Sequence, residues 1–162
     1  TLYEGTTAIQ GLDFFFRKIV RDHGVTLASL SNEIKAFCES GGALADEKAK
    51  LLKALGDFQG IVATLVGFAM ASQSKPEEIY KVGLNTTRAL FAAGDVIISW
   101  LLLRMAEIAE SKSSQGQQDD FYTGKIAAAK HFINVVLPHL TAERKIAEAT
   151  DGSIMDLPEK AF

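Results

Sequence analysis

The stretch ADEKAKLLKALGDFQGIVATLVGFAMASQ, residues 45–73, decides the fold. Within it Leu51, Leu55, Phe58, Val62, Leu65 and Ala69 recur at alternating steps of four and three, which keeps them on one helical stripe. Such a stripe needs a partner, and two further stretches offer the same period. Residues 76–111 carry it at Tyr80, Leu84, Thr87, Phe91, Gly94, Ile98, Leu101, Met105 and Ile108. Residues 120–150 carry it at Ile126, Ala129, Ile133, Val136 and Leu140. Two shorter helices are expected over about residues 8–22 and 27–39. The reading is therefore all-α: an antiparallel up-and-down bundle of about five helices, three of them long. At 1.5 Å per residue the third and fourth helices are roughly 40 to 50 Å long, and the tight Ser74-Lys75-Pro76 junction makes them antiparallel.

Punctuation refines this outline. Thr7 followed by Gln10 reads as a capping box at the first helix, which Gly24 stops, and Gly41-Gly42 ends the second. Gly56, Gly60 and Gly67, with Ala63 and Ala71, lower the relief of the third helix, where a neighbouring backbone is expected to come close. Pro138 falls inside an apolar period, so a kink or break is expected near residues 134–138. The polar run KSSQGQQ, residues 112–118, reads as a flexible loop, and the residues after Asp151-Gly152 as a short tail.

Composition excludes several classes. The 162 residues, 48% hydrophobic with a net charge of −3, suit about one globular domain and give no basic footprint for nucleic acid. A single cysteine, Cys38, makes neither an internal disulfide nor a thiolate metal cage, and a reducing, cytoplasmic-type compartment fits. The uninterrupted apolar runs at 61–71 and 96–103 are short against the ~20 residues of a membrane span, so no span is expected. Thr1 in place of Met reads as the start of a fragment. On the first helix Phe14 projects among Arg17, Lys18 and Arg21, and an exposed ring there suggests a missing covering surface.

The segment Leu2-Tyr3-Glu4-Gly5-Thr6-Thr7-Ala8-Ile9-Gln10 resembles the C-terminal active-site signature of acyl-CoA dehydrogenases. The helical remainder, including Asn85-Thr86-Thr87-Arg88 and Phe121-Tyr122-x-Gly124-Lys125, looks like the extra C-terminal domain of larger bacterial members. The resemblance implies a division into residues 1–24, the end of the catalytic helical domain, and residues 25–162, a C-terminal bundle. It implies that Glu4 is the catalytic base, that Tyr3 and Gly5 lie beside the substrate, and that Thr6, Thr7 and Ala8 lie near FAD. The implied partners are an acyl-CoA substrate, an electron-transferring flavoprotein, upstream catalytic domains and further copies in a homo-oligomer. These 162 residues hold no flavin domain, so the chain alone is expected to be inactive. The competing reading is a non-catalytic helical interaction module whose first helix merely begins with a similar cap.

Other chemistry-bearing residues receive plainer roles. His23 suits the C-terminal end of the first helix. His131 and His139 lack partners at ligand spacing, so no metal is predicted. Cys38 reads as a small apolar residue, and Asp95 as a partner in a hydrogen bond or ion pair across the bundle, with a lysine of the fifth helix such as Lys125 or Lys130.

Overall fold

The computed structural model describes residues 6–116 and 119–161. Among these the fold is all-α, as the periodicity predicts. The helices are α1 (Thr7–Asp13), α2 (Val25–Glu39), α3 (Ala45–Ala71), α4 (Ile79–Ser114), α5 (Asp120–Val135) and α6 (His139–Glu148), with a π-helical segment, Phe14–Val20, continuing α1. Helices α3 and α4 run antiparallel through the centre. Around them, α2 packs on α3, α1 and α5 pack mainly on α4, and α6 packs on α3.

The stripe read on α3 is the core. Leu51, Leu55, Phe58, Val62 and Leu65 are all buried. The α5–α6 stripe is equally sound at Ala129, Ile133 and Leu140. Pro138 breaks the expected single fifth helix: α5 ends at Val135 and Pro138 caps α6. A proline there lacks the amide an unbroken helix would use.

Helix α4 reverses the expectation. Its large residues Tyr80, Leu84, Phe91, Ile98, Leu101, Met105 and Ile108 are all exposed, Phe91 at 57% and Ile108 at 61%. The buried side is made of Val82, Asn85, Thr86, Ala89, Ala92, Ala93, Val96, Ser99, Leu103, Ala106 and Ala109. The reason is crowding. Helices α1, α3 and α5 all pack against α4, and small side chains let three neighbours approach one axis. Large residues on that side would hold them apart.

Several local expectations are also corrected. The KSSQGQQ run is helical as far as Ser114 and turns at Gly116, where φ is 84°; Gln117 and Gln118 lie outside the described residues. The open glycines of α3 are not where backbones meet. A Cβ on Gly56 or Gly67 would meet nothing within 4 Å, and Gly60 is covered by the Arg144 side chain. Close backbone approach occurs instead at Gly11, where a Cβ would stand 2.9 Å from the Thr86 carbonyl carbon. Helices α3 and α4 are also each long and apolar enough to cross a membrane by length and composition, with 39% of the most apolar window buried within the fold. Counting only uninterrupted runs missed this, because isolated polar residues split segments that are apolar on average.

Two polar knots brace the bundle, and the sequence does not announce either. Lys48 is 1% exposed, yet its ammonium donates to the Gly41 carbonyl (2.6 Å) and Ser40 Oγ (3.1 Å), pairs with Glu107 and lies over the Phe37 ring. One cation thus satisfies the end of α2 and ties it to α3 and α4. Asp57 on α3 accepts from Thr141 Oγ1 of α6 at 2.6 Å and from Lys53 Nζ at 2.9 Å, with Arg144 3.7 Å away. Burial raises the Asp57 pKa, but the Thr141 and Lys53 hydrogen bonds and the Lys53 and Arg144 charges outweigh it. They hold the carboxyl below its ordinary 3.8.

Candidate functional site

The segment that carries the resemblance enters α1. Tyr3, Glu4 and Gly5 lie outside the described residues; Thr6, Thr7 and Ala8 form the first turn. Thr6, not Thr7, is the N-cap residue, and no side chain caps this end among the described residues. The capping box of Thr7 and Gln10 therefore does not form. Gln10 instead donates its backbone N–H to the Thr6 carbonyl at 2.9 Å, the first bond of the helix. Ahead of that bond the amides of the first turn have no intrahelical acceptor, and Ala8 is exposed. An open helix N-terminus of this kind presents N–H donors and partial positive charge to an anion.

What holds this turn in place is the far side of α1. Gly11 lets the helix lie directly on the backbone of Thr86 and Thr87. Phe15 and Ile19 then enter the core at 0% and 4% exposure. The opposite side stays open, with Ile9 at 66% and Leu12 and Val20 each at 39%. So α1 is clamped to α4 by one side and offers an apolar strip on the other.

The π-helical winding explains a further correction. Arg21 N–H donates to the Phe16 carbonyl and Gly24 N–H to the Ile19 carbonyl, both five residues back. The wider turn rotates Phe14 away from the position that regular α-helical spacing assigns. Phe14 is half-buried and lines an apolar cavity of about 110 Å³ with Leu27, Leu30 and Ile34. It is not an exposed ring among basic residues. His23 (φ 53°) and Gly24 (φ 74°) then turn the chain in the left-handed region. Asp22 accepts the Thr26 N–H at 2.6 Å, which caps α2 and draws the Asp22 pKa down.

The remaining candidates are structural. Cys38 is half-buried, and burial pushes its thiol up to about 11, partly opposed by Lys48, so it stays protonated and a poor nucleophile near neutrality. Asp95 does not pair with Lys125 or Lys130. Burial raises its pKa, and His139 on α6 is the group whose charge opposes the shift. Register is the reason. Helix α5 starts beside the end of α4 and runs antiparallel to it, so Asp95 comes level with residue 139 rather than with 125 or 130. Counting back along the two helices would have found this. Lys125 instead lies over the Phe121 ring at 5.2 Å.

Sequence reasoning also missed the roles within Asn85-Thr86-Thr87-Arg88. Asn85 donates to the Lys81 carbonyl and to Thr150 Oγ1, both at 2.9 Å, and accepts from Arg88 Nε at 3.1 Å. Arg88 also pairs with Glu143. The motif is a clasp between α4, α6 and the chain that follows. Among the described residues no three His, Cys, Asp or Glu side chains gather as metal ligands do.

An all-α bundle whose first helix is clamped at Gly11 and has no side-chain cap among the described residues defines a helical domain. Comparison with known proteins supplies the family. The chain belongs to the acetyl-CoA dehydrogenase C-terminal-like family, whose model matches residues 30–158. It is 50% identical to the broad-specificity linear acyl-CoA dehydrogenase FadE5 of Mycobacterium tuberculosis, over all of this chain and 28% of that protein. It is 32% identical to a butyryl-CoA dehydrogenase of Syntrophomonas wolfei, over all of this chain and 27% of the relative. It is also 32% identical to the 3-methylmercaptopropionyl-CoA dehydrogenase of Ruegeria pomeroyi, over 95% of this chain and 26% of the relative. The chain thus spans little more than a quarter of the relatives it matches.

Proposed function

We propose that this chain is part of an FAD-dependent acyl-CoA dehydrogenase that converts acyl-CoA thioesters to trans-2-enoyl-CoA, and that it contributes Glu4 to the active site. The observation that carries the reading is the coincidence of two features. The YEGT segment immediately precedes α1 in sequence, an end with no side-chain cap among the described residues, and relatives with this activity in their names match the chain over its whole length.

The first turn suits the cofactor. Its uncapped amides at Thr6, Thr7 and Ala8 match the chemistry of an anionic pyrophosphate, and Ala8 adds no side chain to crowd it. Bound FAD would supply the hydride acceptor. Glu4 would remove the α-proton of the thioester as the β-hydrogen leaves with its electron pair, and the carbon–carbon bond becomes the enoyl double bond. Tyr3 and Gly5 would lie beside the substrate. Desolvation in a closed pocket would raise the Glu4 pKa towards the working range.

The same reading divides the chain at Gly24 into the end of the catalytic helical domain and a C-terminal bundle. The exposed apolar residues Ile9 and Leu12 of α1 and Val20 of its π-helical continuation would then be the seat of the upstream domains, which would supply most of the pocket. An electron-transferring flavoprotein would reoxidise the flavin, and the compartment would be cytoplasmic. The test is to purify the whole protein that carries this segment and add an acyl-CoA without oxygen. Bound flavin that bleaches with formation of the enoyl product supports the reading; a colourless protein refutes it and leaves a helical interaction module.

A further inference from the structure

The cavity beside Phe14 has no part in the proposed activity. Its volume is about 110 Å³, and Phe14, Leu30, Ile34, Phe58 and Val96 give it apolar walls drawn from four helical segments. Protein interiors leave few voids larger than a water molecule. One wall is the π-helical segment, whose five-residue bonding sets Phe14, Lys18 and Ile19 along the same space. Such windings are rare and occur mostly at functional sites.

Two polar groups meet this apolar space. Ser31 of α2 stands in the wall at 5% exposure, and its Oγ has no hydrogen-bond partner among the described residues. A hydroxyl on a helix commonly donates to a carbonyl of the preceding turn, as Thr64 does to Gly60 and Ser114 to Glu110. Ser31 forgoes that bond, and an unpaired buried hydroxyl is costly. Of the three side chains left in this state, with Ser99 and Trp100, Ser31 alone lines the cavity. The second group is Lys18, exposed at the rim and the one charged residue in the lining among the described residues, where it makes no ion pair. The Asp22 carboxylate, four residues on, is taken up by the Thr26 N–H.

We propose that this cavity binds a short-chain aliphatic monocarboxylate. The hydrocarbon chain fills the apolar walls, and the carboxylate accepts the Ser31 hydroxyl proton and is neutralised by the Lys18 ammonium. Size sets the chain length: an apolar cavity of about 150 Å³ holds benzene, so this one holds a chain of about five carbons beyond the carboxylate. Water suits the site poorly, because a buried water needs roughly two to four polar partners and the apolar walls offer it Ser31. The inference does not depend on the activity proposed above, since the first turn of α1 does not line the cavity.

Calorimetric titration of the whole protein with sodium hexanoate tests it, in the presence of saturating hex-2-enoyl-CoA to fill any thioester site. One hexanoate is expected to bind per chain and to persist against the thioester. Ser31→Val keeps the shape of the side chain and is expected to weaken binding about tenfold or more. Lys18→Gln is expected to weaken it about fivefold. Leu27→Phe and Leu30→Trp fill the space by different routes and are each expected to abolish it. Absence of saturable binding would overturn the proposal, and so would displacement of hexanoate by the thioester. An affinity unchanged in Ser31→Val, in Lys18→Gln or in both filling variants would overturn it as well.

Discussion

Helices α3 and α4 carry the same alternation of four and three in large apolar residues, yet one stripe is the core and the other faces outward. On α3, Leu51, Phe58 and Leu65 are between 0% and 3% exposed; on α4, Leu84, Phe91 and Leu101 are between 43% and 57% exposed. The difference lies in the number of neighbours. Helix α4 is packed by α1, α3 and α5, and only Ala, Ser, Thr, Asn and a few branched residues fit between them. Periodicity shows that a face is apolar. How many helices crowd the axis decides whether large or small residues turn inward.

Truncation should separate the two stripes most sharply. Phe58→Ala removes a ring from a site that α3 cannot collapse and is expected to cost about 3 to 5 kcal/mol by denaturant unfolding. Overfilling the small side of α4 comes next. Ala93→Leu, at 6% exposure, is expected to cost about 1 to 3 kcal/mol, whereas a crowding explanation that was wrong would leave it neutral. The clasp between α3 and α6 gives a pH-dependent effect. The folded pKa of Asp57 lies below the ordinary 3.8, so its stabilisation is complete above that pH and is lost as the pH falls through the folded value. Asp57→Asn should flatten the acid limb of a stability profile below about pH 4 and destabilise the fold at neutrality. The smallest change is expected for Ile108→Ala on the outward stripe, 61% exposed, within about 0.5 kcal/mol. A cost comparable to Phe58→Ala would erase the contrast.

Much of this was legible in the sequence. The α3 seam, the antiparallel junction at Pro76 and the break at Pro138 all follow from period and from proline chemistry. What was not legible shares one cause: each case depends on contacts between distant segments. The inward side of α4 is poor in apolar area and so looks polar beside its outward stripe. The burial of Lys48 requires α2 to end beside it, and the environment of Phe14 requires π-helical winding that a fixed angle per residue cannot represent. The partner of Asp95 was within reach, since counting back from the α4–α5 turn brings His139 level with it. At the candidate site the resemblance names Thr6, Thr7 and Ala8, and only the fold shows that Thr6 rather than Thr7 is the N-cap residue, with no side-chain cap among the described residues.

The proposed function rests on a proton removed by Glu4. Single-turnover mixing of the whole flavoprotein with an acyl-CoA isolates that step. Glu4→Gln should retain flavin and bind acyl-CoA while the rate of flavin reduction falls by about 10² to 10⁴-fold or more. A variant that reduces its flavin at the unaltered rate would contradict the assignment of the base to this segment.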